Sequence, residues 1–352
     1  MPTRYELITE LYREQSARIT KNAQNWMDFL KTACRNYRLP FEEQILLYAQ
    51  RPDATAVLEV DAWNKRFGRW VNRNAKGIAV VDREYAGQQR LKYYFDISDT
   101  HESRYSRPVP IWQYDRRMDE GMIRELVLRY GDAVDTASVE TALMTATRIA
   151  VADSLDAHTA DILDMRQGSL LEDLSDAEVK AMFYDLLINS VSYMALARCD
   201  MNTELYFERE DFTDIFHFNT VSSLTAYGVA LRQAAGEYLS VISVTLQQLQ
   251  KNKTDTNRIV AQNADVVYAD AVDKTADDER SETHDLHEPK RISDPEPSAR
   301  AGAERAPWQI RVAPSSVSKG ASGELVHDAD DDGKASRTPD GDRSGGAGTP
   351  SA

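Results

Sequence analysis

The sequence predicts an α+β protein: N-terminal helices with a small antiparallel hairpin or sheet, followed by a helical bundle and a disordered C-terminal tail. Three observations carry that prediction. Apolar residues recur at helical spacing up to Gln50 and again from Met118 to Gln250, and two runs rich in β-branched and aromatic residues, "GIAVVD" and "RLKYYFDIS", lie between those blocks. After Lys253 the packing residues all but vanish.

The elements follow in order. In "NAQNWMDFLKTACRNYRLP", Trp26, Leu30, Ala33 and Tyr37 share a helical stripe, and Pro40 ends that helix and opens the next, "FEEQILLYAQ". Pro52 closes it, "TAVLEV" reads as a short extended piece, and Asp61 is placed to cap one or two turns holding Trp63 and Phe67. The two β-rich runs flank "REYAGQQ", a turn with Gly87, so an antiparallel hairpin is expected, and "SRPVPIW" is expected as an extended edge segment closing the first domain. Beyond it, "MDEGMIRELVLRYG" stops at Gly131, "TASVETALMTATRIAVADSL" repeats apolar residues every turn, and Ser175 with Glu178 forms a capping box. The last strong helix carries Val221, Leu224, Leu231, Tyr238, Ile242, Leu246 and Leu249 on one stripe. Three segments result: an α+β domain over 1–115, a helical region over 116–252, and an acidic Gly-, Pro- and Ser-rich linker or tail over 253–352.

Charge is divided along the chain. The whole carries −15, but residues 1–92 hold 16 Lys and Arg against 11 Asp and Glu, a net of +5, which leaves −20 for the rest. A basic front suits an anionic partner. Carboxylate-rich helices behind it open an alternative, a protein-interaction or antirestriction module in which acidic faces imitate a phosphate backbone. The amphipathic N-terminus lacks an apolar h-region and no run approaches the length of a membrane span, so a cytoplasmic protein without a membrane partner is expected.

The chemistry-bearing motifs are mostly missing. No phosphate-binding loop, dinucleotide fingerprint, zinc-protease helix or nucleophile elbow occurs, so no catalytic residue, metal or cofactor is assigned. Cys34 and Cys199 fall in helical patterns and read as small buried side chains. His284 and His287, three apart in "THDLHEPK", lie in the expected tail without a scaffold to fix metal geometry, and His101 sits in an acidic loop. What stands out is the stretch from Trp63 to Lys76. Lys65, Arg66, Arg69, Arg73 and Lys76 interleave there with Trp63, Phe67 and Trp70. Cations neutralise phosphates and aromatic faces stack unpaired bases, while Asn74 and Gly77 can take left-handed conformations. The same residues also fit an ordinary hairpin, with the aromatics in the core and the charges solvated.

The run "FEEQILLYAQRPDATAVLEVDAWNKRFGRWVNRNAKGIAVVD", with "RLKYYFDISDTHESR" and "RPVPIW" after it, resembles the N-terminal region of large proteins of conjugative and integrative elements of Firmicutes. Those proteins carry helicase or adenine DNA methylase modules downstream. Within the run, "GRWVNRNAKGIAV" is similar to the N-terminal single-stranded-DNA-binding domain of ArdC-type antirestriction proteins, over roughly residues 20–100. The resemblance implies a non-catalytic DNA-binding front end, with single-stranded DNA the favoured partner and further helicase or methylase modules of the same parent protein beyond Ala352. It matches Trp63, Arg69, Val71, Arg73, Lys76 and Gly77. Phosphate contact is expected of Arg69, Arg73 and Lys76, a backbone turn at Gly77, packing by Val71, and either stacking or packing by Trp63. Trp70, Lys65 and Arg66 complete the candidate surface. Asn74 stands where the family commonly has glycine, and asparagine tolerates positive φ best after glycine. The metallopeptidase-like second half of ArdC proteins has no counterpart in the chain.

Overall fold

The computed structural model describes residues 2–82, 89–152 and 155–279. Helix α1 (Arg4–Ile19) starts at a Thr3–Glu6 capping box, α2 (Ala23–Ala33) is capped by Asn22, and α3 (Phe41–Gln50) follows Pro40. Strand β1 (Val57–Leu58) leads into α4 (Val60–Phe67), where Asp61 lies in the first turn and not at the cap. The strands β2 (Arg69–Val71), β3 (Ile78–Val81), β4 (Leu91–Asp96) and β5 (Thr100–Glu102) come next. The α+β class is therefore the observed one.

The expected hairpin is β3 against β4, antiparallel from Ile78 opposite Tyr94 to Val81 opposite Leu91, and β1 joins the other side of β4. Its connecting turn lies outside the described residues. Helices α1 and α3 cover one face, burying Ile8, Leu46 and Leu47 with Val57, Ile78, Val80 and Tyr94. Polar side chains of α3 also grip the sheet. Gln50 accepts from Ala79 N and donates to Ala79 O, which satisfies the outer edge of β3 as a further strand would. Glu43, in the first turn of α3, is buried, paired with Lys92 Nζ at 2.8 Å and accepting from the Tyr94 hydroxyl at 2.7 Å.

A second, two-stranded sheet of β2 and β5 was not foreseen. The segment 106–112, expected as an extended edge segment, pairs with no strand among the described residues; it runs irregularly to the buried Trp112. Pro108 and Pro110 cannot donate to a ladder, and Arg107 N instead bonds the Phe67 carbonyl at 2.9 Å.

Helices α5 (Asp119–Tyr130), α6 (Val139–Ala152), α7 (Leu155–Asp164), α8 (Asp176–Arg198) and α9 (Val221–Glu279) follow. Gly131 ends α5 with φ +87°, and Ser175 and Glu178 form the capping box of α8. One apolar core runs from Ile19 through Trp26, Phe29 and Phe41 to Phe183, Tyr227 and Leu246. The front helices are thus packed with the helical region across residue 115, and the described residues fall in one compact unit. Helix α9 continues past Gln250 to Glu279, into the segment expected to be disordered. No glycine or proline interrupts 251–279, so loss of packing residues there did not end the helix. The expected tail from residue 280 on lies outside the described residues. Among the described residues, no helix is long and apolar enough to cross a membrane.

Candidate nucleic-acid interface

The candidate surface begins at a glycine. Gly68 caps α4 in the left-handed region, φ +61°, and its carbonyl accepts the hydroxyls of Ser103 and Ser106 at 2.7 and 2.9 Å. A Cβ at this position would lie 2.8 Å from the Tyr105 carbonyl oxygen, so only glycine lets the 103–106 turn close over the start of β2. From there β2 pairs antiparallel with β5, Arg69 opposite Glu102, Trp70 opposite His101 and Val71 opposite Thr100.

Alternation along so short a strand divides its side chains. Arg69 faces inward, its side chain 12% exposed; Nε donates to Thr100 Oγ1 at 2.8 Å and Nη1 to Glu102 Oε1 at 2.7 Å. Of the residues expected to contact phosphate, Arg69 is the one whose guanidinium holds β5 and whose charge is matched by Glu102. Trp70 faces outward beside His101, whose Nδ1 lies 2.8 Å from Asn72 Oδ1, and Trp70 is 54% exposed.

A tight turn follows β2. Ala75 N donates to Asn72 O at 3.1 Å, and Asn74, third of the four residues, has φ +71°. That is the position where a type II turn requires glycine or asparagine, so the departure from the family pattern leaves the turn intact. Arg73 and Lys76 project from it, exposed and without an ion-pair partner among the described residues. Gly77 does not adopt the left-handed conformation foreseen for it. A Cβ there would meet Phe95 Cζ at 3.0 Å and Tyr93 Cβ at 3.1 Å, so its role is close approach of β3 to the aromatic side chains of β4.

The remaining expected residues separate. Trp63 is fully buried, donates its indole N–H to Phe95 O at 2.8 Å and packs on Phe67, so of the two roles left open it packs. Lys65 pairs with Asp61 one turn away at 3.0 Å, both exposed. Arg66 is exposed on α4 and lines a cavity together with Trp63. Sequence reasoning missed Tyr105, which is 71% exposed with the Arg104 guanidinium 4.6 Å from its ring centroid, and the neighbouring Arg107. The β2–β5 sheet and the segments flanking it carry two exposed aromatic rings, Trp70 and Tyr105, and four cations without carboxylate partners among the described residues: Arg73, Lys76, Arg104 and Arg107.

Elsewhere, several acids of the helical region are engaged. Glu140 pairs with Arg116, Asp156 with Lys180 and Asp176 with Arg166. The Arg116 guanidinium beside Glu140 holds that carboxyl below its usual range. Cys34 and Cys199 are buried free thiols, and among the described residues no cluster of His, Cys, Asp and Glu is arranged to hold a metal. No family model, curated protein or solved structure matches the chain.

Proposed function

We propose that the chain is a non-catalytic single-stranded-DNA-binding front end, and that the β2–β5 face is its binding surface. The observation that carries this reading is the combination of exposed aromatic rings at Trp70 and Tyr105 with Arg73, Lys76, Arg104 and Arg107, cations without a carboxylate partner among the described residues, on one mini-sheet and its flanking segments. Unstacked bases lie against the rings while phosphates release their counterions at the cations, which makes binding salt-dependent and tolerant of sequence. The resemblance of residues 41–82 to mobile-element proteins supports a setting in which this surface tethers helicase or methylase modules of the same parent protein to unpaired DNA. The alternative, an acidic mimic of DNA, has less support, because Glu140, Asp156 and Asp176 are already paired with cations of the chain.

Fluorescence anisotropy of the full chain with a labelled single-stranded oligonucleotide, and with its duplex, tests the reading. Saturable binding that favours the single strand is expected, and Trp70→Ala should weaken it by roughly 5- to 150-fold, the equivalent of about 1–3 kcal/mol for one stacked base. Absence of binding at about 50 mM salt, or a Trp70→Ala variant that binds like the parent, overturns it.

A further inference from the structure

A cavity of about 370 Å³ opens where the 35–39 segment, α4, the 109–112 segment and the C-terminal end of α8 meet. Arg35, Arg38, Arg66 and Arg198 line it, Trp63 and Trp112 are among its apolar walls, and no Asp or Glu contributes to the lining. Arg35 is occupied, donating to the carbonyls of Ala54 and Pro52 at 2.9 and 2.6 Å. Arg38 and Arg66 are exposed and have no ion-pair partner among the described residues.

Arg198 is the unusual member. Its guanidinium lies 3.9 Å from the Trp112 ring centroid, Nη1 donates to Trp112 O at 3.0 Å, and Nε is buried with no hydrogen-bond partner. Among the described residues, no carboxylate forms an ion pair with it. The groups that act on it are Cys34, Cys199, Tyr37 and Arg35, and burial pulls Arg198 below its usual range. Burial also pushes the two thiols up to about 11 and about 12, so at neutral pH neither is a thiolate that could serve as the counter-charge. A half-buried cation left uncompensated is costly, and an anion entering from the cavity supplies what the protein does not.

We propose that this cavity binds an organic phosphomonoester with a flat apolar body, the chemistry of a nucleoside monophosphate, with the phosphate among Arg38, Arg66 and Arg198. Three guanidiniums without a neighbouring acid suit a dianion with three oxygens better than a carboxylate, which one guanidinium fork satisfies. The volume lies at the small end of the range for ligand sites, roughly 300–1,000 Å³, which fits one ring system with one phosphate. Such a group comes either as a free nucleotide or as the 5′-terminal nucleotide of a DNA strand. The inference uses none of Trp70, Arg73 or Lys76 and stands or falls separately from the reading of the β2–β5 face.

Arg198 also holds Trp112, so its removal tests folding as much as binding; the exposed Arg38 and Arg66 are the residues to change. The full chain is titrated calorimetrically with thymidine 5′-monophosphate and with thymidine, and by anisotropy with one oligonucleotide carrying either a 5′-phosphate or a 5′-hydroxyl. For a free nucleotide, the monophosphate binds saturably and thymidine does not, and Arg38→Ala with Arg66→Ala weakens binding by about tenfold or more, as for lost hydrogen bonds to a charged group. For a strand end, the 5′-phosphate tightens oligonucleotide binding and the same double variant abolishes the difference. In either case Arg73→Ala with Lys76→Ala leaves the phosphate effect unchanged. Thymidine binding as tightly as its monophosphate, no effect of phosphate in either titration, or a phosphate effect that survives loss of Arg38 and Arg66 overturns the proposal.

Discussion

Replacing Arg73 and Lys76 together by Ala separates a binding face from a solvated hairpin, and adding Arg69→Ala separates the structure from a count of cations. Each phosphate contact to a single strand contributes about 0.7 to the slope of log affinity against log salt. With contacts at Arg73, Lys76, Arg104 and Arg107, the slope is about −2.8, so a fourfold rise in salt from about 50 to 200 mM weakens binding roughly 50-fold. The double variant keeps two contacts, a slope of about −1.4 and a loss of roughly 7-fold over the same range. Arg69→Ala should leave the slope alone, because its guanidinium is bound to Thr100 and Glu102. Its effect belongs to stability, about 1–2 kcal/mol, carried mainly by the half-buried bond to Thr100, since Glu102 is 73% exposed and contributes little. Anisotropy across a salt series reads the slope and urea unfolding reads the stability. A further flattening of about 0.7 on Arg69→Ala, or an unchanged slope in the double variant, would refute the reasoning.

Three further expectations concern what holds the face in place. Gly228→Ala on α9 would set a Cβ 1.9 Å from Phe41 Cδ1 on α3, deep in the core, and should lower stability by about 1–3 kcal/mol or more, read as a fall in the urea midpoint at unchanged m-value. Ser190→Ala removes the acceptor shared by Trp26 Nε1 and the Tyr227 hydroxyl, both at 3.0 Å; a stranded buried indole N–H costs about 1–3 kcal/mol, and Trp26→Phe in the same background should recover part of it. Asp96 is buried, which by itself raises a carboxyl, yet bonds from the Ser98 amide and hydroxyl and from the amides of Thr55 and Ala56 leave it below its usual value. Its folded value lies below its unfolded one, so its stabilisation is complete above the unfolded value near 3.8 and is lost as pH falls through the folded one. Asp96→Asn should cost stability at pH 7 and flatten the fall of the urea midpoint on acidification; an unaltered acid limb rules the mechanism out.

Local pattern made much of the fold legible. The β3–β4 hairpin follows from the β-branched and aromatic runs "IAVV" and "LKYYFD", and the Ser175 cap and Gly131 stop are short-range signals that depend on neighbours within one turn. What escaped was non-local. The strands β2 and β5 have three residues each and pair across the whole β3–β4 hairpin, too short for a period and too far apart for a turn signal. The Arg69 pairing escaped for the same reason. Counted along the sequence it is one of a row of cations; in space its neighbour is Glu102. Tyr105 was passed over because it lies outside the basic run, although Gly68 brings its backbone against the start of β2.

The bundle is what makes the face stiff. Trp26 of α2 and Tyr227 of α9 meet on Ser190 of α8, and α9 closes on α3 where Gly228 leaves room for Phe41. Helix α3 then holds the sheet through Glu43 on Lys92 and Tyr94 and through Gln50 on Ala79. At the end of β4, Asp96 ties residues 55–56 to the turn at Ser98, and Asp99, paired with Arg51, receives the Asn72 amide at 2.7 Å at the base of the Arg73 turn. Many of these links are polar pairs in apolar surroundings, where an unmatched partner costs more than the pair contributes. A mini-sheet with two three-residue strands has no stability of its own. Mounted this way, Trp70 and the Asn72–Ala75 turn would have little backbone freedom to lose on binding the proposed strand, which is the advantage of a preorganised surface. Excising residues 1–115 would expose Trp26, Phe29 and Phe41 and release that mounting, so on the proposed reading the excised segment should bind a single strand more weakly than the packed chain.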